Sequence, residues 1–177
     1  MSGAGTVPDA PVLTVLGVGN TIMADDGAGL ELLTRLSQAR PDVRVEYVDG
    51  WTGGMELVPV VQDAGRLLIL DAVAGAVPGT VVHLTGDQIP RMLATKLSPH
   101  QVGLLDVLTA ARMLGREPDQ VEVVGIVPEL VDLRVGLSDS VATALPAAVE
   151  AAVEVVDRWL AELTAAGPTA GGSARQP

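Results

Sequence analysis

The stretch Val12–Leu36, "VLTVLGVGNTIMADDGAGLELLTRL", holds a short apolar run, a glycine loop and an amphipathic segment in that order. Val12–Leu16 has the length and β-branched content of a buried strand. Asp25–Ala39 reads as a helix, with Leu30, Leu33 and Leu36 on one face. A strand that runs through glycines into a helix is the opening unit of an α/β fold. Ligands of such folds bind beyond the carboxyl ends of the strands. The loop carrying Asp25 and Asp26 is therefore the first place to look for a site.

The pattern repeats along the chain. Val43–Val48, Arg66–Leu70 and Gln120–Val127 read as strands, and Thr80–Leu84 as a more amphipathic strand at an edge. Gly54–Val61 reads as a short helix, Val102–Leu114 as a longer one, and Ser138 to about Thr164 as the last. In that last helix Val141, Leu145, Ala148, Ala152, Val155, Trp159 and Leu163 form an apolar stripe. Pro146 either opens the helix proper or kinks it. Strands alternating with helices predict a single-domain, three-layer α/β/α fold with a mostly parallel sheet. Residues 1–10 are expected to be a flexible leader, 11–165 the domain, and 166–177 (AGPTAGGSARQP) a disordered tail.

Composition narrows the partners. The chain has 177 residues, 48% of them hydrophobic, with no Phe, one Tyr and two Trp. The core must be built from Val, Leu, Ile and Ala, and stacking platforms for single-stranded nucleic acid are absent. Lys plus Arg number 11 against 22 Asp plus Glu, a net charge of -11. Such a surface repels phosphate backbones and anionic membranes. The absence of cysteine removes disulfides, thiolate metal sites and cysteine nucleophiles, and is compatible with a reducing cytoplasm. No signal-peptide pattern is visible, and no apolar run reaches the roughly 18 residues of a membrane helix.

Carboxylates gather where strands end. Asp25 and Asp26 follow the first strand, Asp49 the second and Glu129 the fifth, and Asp71 ends the third. Gly17-Val18-Gly19-Asn20-Thr21-Ile22 has Ile where a dinucleotide fingerprint requires a third glycine. Two fixed negative charges in that loop oppose a pyrophosphate. Asp25 and Asp26 can be helix caps or ligands; the flanking Gly27 and Gly29 suit close approach of something to the backbone. Asp71 closes an apolar run, "LLILDA", where a carboxylate needs a partner, a turn or a metal. His100, in "LSPHQVG", is a candidate ligand or base, whereas His83 reads as a solvent-facing residue of the edge strand. Two carboxylates and an imidazole would make a three-ligand site open to zinc or nickel.

Five segments together carry a resemblance: Gly17-Val18-Gly19-Asn20 with Asp25-Asp26-Gly27-Ala28-Gly29; Asp49-Gly50-Trp51-Thr52; Asp71; Ser98-Pro99-His100-Gln101; and Gly125-Ile126-Val127-Pro128-Glu129. In that order they resemble the hydrogenase maturation endopeptidases, over most of residues 12–165. The resemblance implies a twisted five-stranded sheet between helices. It implies an endopeptidase that removes the C-terminal extension of a [NiFe]-hydrogenase large-subunit precursor after nickel insertion. Nickel is then carried by the substrate and read through Asp26, Asp71 and His100, with no tightly bound metal of the protease's own. Asp26 stands where some relatives have Glu. The D-G-x-T motif assigns cleavage to Asp49, as an aspartyl-type peptidase, with Asp25 as the other candidate base and Glu129 in support. The expected protein is a cytoplasmic monomer that binds neither nucleic acid nor membrane.

No G-x-S-x-G elbow accompanies Ser98 and His100, which argues against a serine protease. Two rivals follow from the same residues. A non-catalytic nickel-dependent checkpoint would need Asp26, Asp71 and His100 but not Asp49. A nucleotide-binding module would need the glycine loop and gain nothing from the acids.

Overall fold

The computed structural model describes residues 13–93 and 99–166, with the side chains of 92–93 and 99–102 outside that description. The expected leader and all but the first residue of the expected tail therefore lie outside the described residues. The strands are β1 (Leu13–Val18), β2 (Val45–Trp51), β3 (Arg66–Ala72), β4 (Val81–Thr85) and β5 (Gln120–Ile126). They form one sheet in the order β2-β1-β3-β5-β4. The first four in that order run parallel, and β4 runs antiparallel to β5 at the edge.

The central strands are apolar throughout because both of their faces are covered. On one face Leu13, Val15, Leu68, Leu70 and Val124 pack against α1 (Ala28–Ala39) and α5 (Asp139–Ala165). On the other, Leu16, Leu67, Ile69 and Val123 pack against α2 (Val58–Asp63), α3 (Gln88–Leu93) and α4 (Pro99–Met113). This is the predicted three-layer arrangement. At Gly29 a Cβ would stand 2.3 Å from both the Leu70 and the Val18 carbonyl oxygens. The first turn of α1 thus rests on the backbone of β1 and β3, where no side chain fits.

The elements differ from the sequence reading mainly at their ends. β1 continues to Val18 and β3 to Ala72, so Asp71 lies inside its strand. β2 reaches Trp51, which puts Asp49 within the strand as well, just before a register shift opposite Gly17 and Val18. Glycine marks a strand end in a sequence, yet Gly17 stays in the ladder because Leu33 of α1 fills the space its side chain would take. A 3₁₀ turn, Ala24–Gly27, precedes α1, and α4 begins at Pro99, which places His100 in its first turn rather than ahead of it. The helix Gln88–Leu93 was not anticipated. α5 runs continuously from Asp139, so Pro146 lies inside it, on its exposed side. Ser138 starts that helix upstream by accepting a hydrogen bond from the Val141 N–H at 3.4 Å.

Candidate active site

The parallel strands deliver Asp49 and Asp71 to one edge of the sheet, and the β1–α1 connection lies over that edge. Gly19 is at φ +139°, and a Cβ there would meet the Asp26 carbonyl oxygen at 2.0 Å. Only glycine lets the loop close on the turn that holds the two acids.

Asp25 is fully buried. Its Oδ2 accepts the Glu129 and Leu130 N–H groups, each at 2.9 Å, and the Ser138 hydroxyl at 2.8 Å. Its Oδ1 accepts the Ser138 N–H at 2.6 Å. Burial pushes this carboxyl up, but the hydrogen bonds from Ser138, Leu130 and Glu129 outweigh it and hold it below the usual 3.8. The tie extends outward, because the Ser140 hydroxyl donates to Glu129 Oε2 at 2.6 Å and lies 3.1 Å from the Ser138 hydroxyl. Backbone bonds reinforce it. The Ala24 N–H reaches the Arg134 carbonyl at 2.7 Å, and the Arg134 N–H reaches the Ile22 carbonyl at 3.0 Å. Asp25 is thus the fastening between the β1–α1 and β5–α5 loops. Ser138 and Ser140 escaped the sequence reading as site residues. Ser138 is recognisable as a cap, but its bond to a residue 113 positions away has no local signal.

Asp26 follows in the 3₁₀ turn, 2% exposed, with the turn packed against β3. Asp71 is fully buried, and its Oδ1 accepts the Ala72 N–H at 2.8 Å. It alternates with Leu67, Ile69 and Val73, so it faces the α2–α4 layer. α4 starts at this same edge: a Cβ on Gly103 would stand 3.6 Å from Gly54 Cα, in the segment after β2. The edge thus holds Asp26, Asp71 and the first turn of α4, which includes His100. The His100 side chain lies outside the described residues. Among the described residues, no three carboxylates or imidazoles converge in a metal-binding arrangement.

Asp49 has the opposite orientation. It alternates with Val45 and Tyr47 and faces the α1 layer. It is exposed, and its Oδ1 accepts the Trp51 N–H at 3.0 Å in an Asx turn. Trp51 takes φ +43°, and its carbonyl accepts the Gly19 N–H at 2.8 Å, so this turn is tied to the glycine loop. Asp49 lines a cleft of about 320 Å³ walled by α1, the 3₁₀ turn and residues 135–137. His83 sits across the sheet on β4, with Nε2 at 2.5 Å from Glu122 Oε2, and Glu122 also receives Arg158. It belongs to a separate ion-pair cluster.

Apolar side chains crowd the functional edge. Nine large hydrophobic residues are exposed among the described residues; of these, Trp51 ends β2, and Ile22, Met55, Val77, Leu133 and Val135 follow the carboxyl ends of strands.

The fold and site define an α/β protein with a carboxylate-lined strand edge. The HycI hydrogenase maturation protease profile matches residues 30–155. The chain is 38% identical over 142 residues to the hydrogenase 2 maturation protease of Escherichia coli, covering 78% of this chain and 86% of that one. It is 36% identical to the hydrogenase expression/formation protein HupD of Rhizobium leguminosarum, covering 89% and 80%. Its fold superimposes on the hydrogenase maturating endopeptidase HybD of E. coli with a TM-score of 0.77 at 35% identity, over 82% of this chain and 92% of that one. For the HybD maturation protease of Thermococcus kodakarensis the TM-score is 0.68 at 30% identity, over 81% and 97%. The chain belongs to the hydrogenase maturation protease family, and it is a peptidase.

Proposed function

We propose that this peptidase removes the C-terminal extension of a [NiFe]-hydrogenase large-subunit precursor once nickel is in place. Asp26, Asp71 and His100 read the substrate's nickel, and Asp49 serves as general base. The observation that carries this reading is the placement of Asp71 and Asp49 at one edge but on opposite faces of the sheet. A metal bound on the α4 side leaves the chain that follows it free to cross the edge and reach Asp49. Hard oxygen donors with an imidazole suit a divalent first-row metal.

The chemistry assigned to Asp49 is proton transfer. One carboxylate oxygen is held by the Trp51 N–H, and the residue lines the cleft. The carboxylate takes a proton from water as the water attacks the scissile carbonyl, then returns it to the departing amine. Asp25 does not share this role, because its acceptor positions are filled by four hydrogen bonds; it positions the loop that carries Asp26. In this reading the protein works as a cytoplasmic monomer without a resident metal.

Intact-mass measurement of a large-subunit precursor, nickel-loaded or nickel-free, tests the reading. Loss of a C-terminal peptide only with nickel, and only with native protein rather than His100→Ala, is the expected result. Stoichiometric zinc retained through purification would overturn the absence of a resident metal.

A further inference from the structure

Gly50, Gly53 and Gly54 surround Trp51 where the chain leaves β2. None of these glycines takes a left-handed backbone, yet Trp51 does, at φ +43°. Glycine enters that region without steric cost, and a bulky residue there is an outlier. Ala24 is the other non-glycine residue at positive φ among the described residues, and its side chain is small and buried. Two backbone groups hold the Trp51 conformation whatever its side chain. Its N–H donates to Asp49 Oδ1 at 3.0 Å, and its carbonyl accepts the Gly19 N–H at 2.8 Å. The indole itself gives little to the fold. It is exposed and belongs to neither of the apolar clusters that cover the sheet. Among the described residues no cation lies over its ring, whereas Trp159 has two. Backbone strain of this kind clusters where a residue serves a function.

We infer that Trp51 is a precursor-binding residue, whose indole packs against an apolar side chain of the precursor and so sets KM rather than kcat. The inference rests on the peptidase reading given above. In that reading the precursor chain crosses the sheet edge from Asp71 on β3 to Asp49 on β2, over the end of β1. Trp51 ends β2 and is tied through Gly19 to the loop after β1, so it stands beside that crossing. Met55 is the other large apolar side chain exposed in the segment that follows. An indole offers a large, rigid apolar face, and a thioether adapts to what meets it. Tryptophan is also among the residue types that most often carry binding energy where proteins meet. With its backbone fixed at both peptide groups, the indole is mounted before the precursor arrives, which lowers the ordering cost of binding.

The test is steady-state cleavage of nickel-loaded precursor by native protein, Trp51→Gly and Trp51→Leu, with melting curves for all three. Glycine keeps the N–H and carbonyl that bond Asp49 and Gly19, and it takes φ +43° freely. Trp51→Gly should therefore raise KM about 10-fold or more, with kcat within about 3-fold of native, the signature of lost binding rather than lost chemistry. Its Tm should stay within about 3 °C of native. Trp51→Leu, which restores an apolar side chain on the same backbone, should bring KM back to within about 3-fold of native. A native KM in Trp51→Gly overturns the inference while the peptidase reading stands. So does a loss carried by kcat alone, which would make the indole a prop for Asp49. A Tm lower by about 5 °C or more in Trp51→Gly would return the indole to the fold and overturn it as well. Trp51→Leu as poor as Trp51→Gly overturns the apolar partner. Failure of the native protein to cleave any loaded precursor removes the peptidase reading and this inference with it.

Discussion

Asp25 and Asp49 lie at the same edge of the sheet. Asp25 is buried and accepts four hydrogen bonds, from Glu129, Leu130 and twice from Ser138. Asp49 is exposed, and among the described residues it accepts one, from the Trp51 N–H. A carboxylate whose lone pairs are occupied holds structure together; one with a free oxygen beside a cleft can accept a proton from water. The residue type is the same, and the number of donors around it decides the role.

Removing the fastening should have the largest effect. Asp25→Ala leaves three backbone N–H groups and a hydroxyl without their acceptor, at a cost of about 2–4 kcal/mol. Thermal denaturation should show a Tm lower by about 5–15 °C. A Tm near native would mean that the two loops are held by their backbone bonds alone. Asp49→Asn should reverse the balance. Asn can keep the Asx turn, so stability stays within about 0.5 kcal/mol, while cleavage falls by about 100-fold or more. A variant that still matured its precursor at the native rate would take the base role away from Asp49. Ser138→Ala removes both the α5 cap and one bond to Asp25, for about 1–2 kcal/mol by chemical denaturation.

The smallest effect concerns pH. Asp25 is held below 3.8 in the folded protein, so its contribution to stability is fully present above that value. It is lost as pH falls through the lower, folded-state value. Asp25→Asn should therefore show a shallower loss of stability than native protein below about pH 4, read from melting curves across pH. Parallel curves would assign the acid sensitivity to other groups.

Much of this edge is visible in the sequence. The alternation of strand and helix, the edge strand β4, and the acids at strand ends all follow from local patterns. The facing of those acids does not. Whether Asp49 and Asp71 share a face depends on how their strands pair and which helices cover each side, which are tertiary facts. The Asp25 anchor depends on residues from the other end of the chain. Gln88–Leu93 was too short, and interrupted by Pro90, to show a helical period. Pro146 was ambiguous because a helix tolerates proline on its solvent side when capping and packing fix it at both ends.

The two tryptophans sit in contrasting environments. Trp159 is fully enclosed, with the Arg66 and Arg158 guanidinium carbons each 5.9 Å from its ring centroid. Trp51 is 56% exposed, two residues from Asp49 on the strand edge. Native fluorescence is therefore two spectra in one. The blue-emitting indole of Trp159 reports loss of the whole fold. The water-exposed one reports events at the edge alone, so arrival of a precursor there should register as a change in Trp51 emission and quenching before any bond is cut.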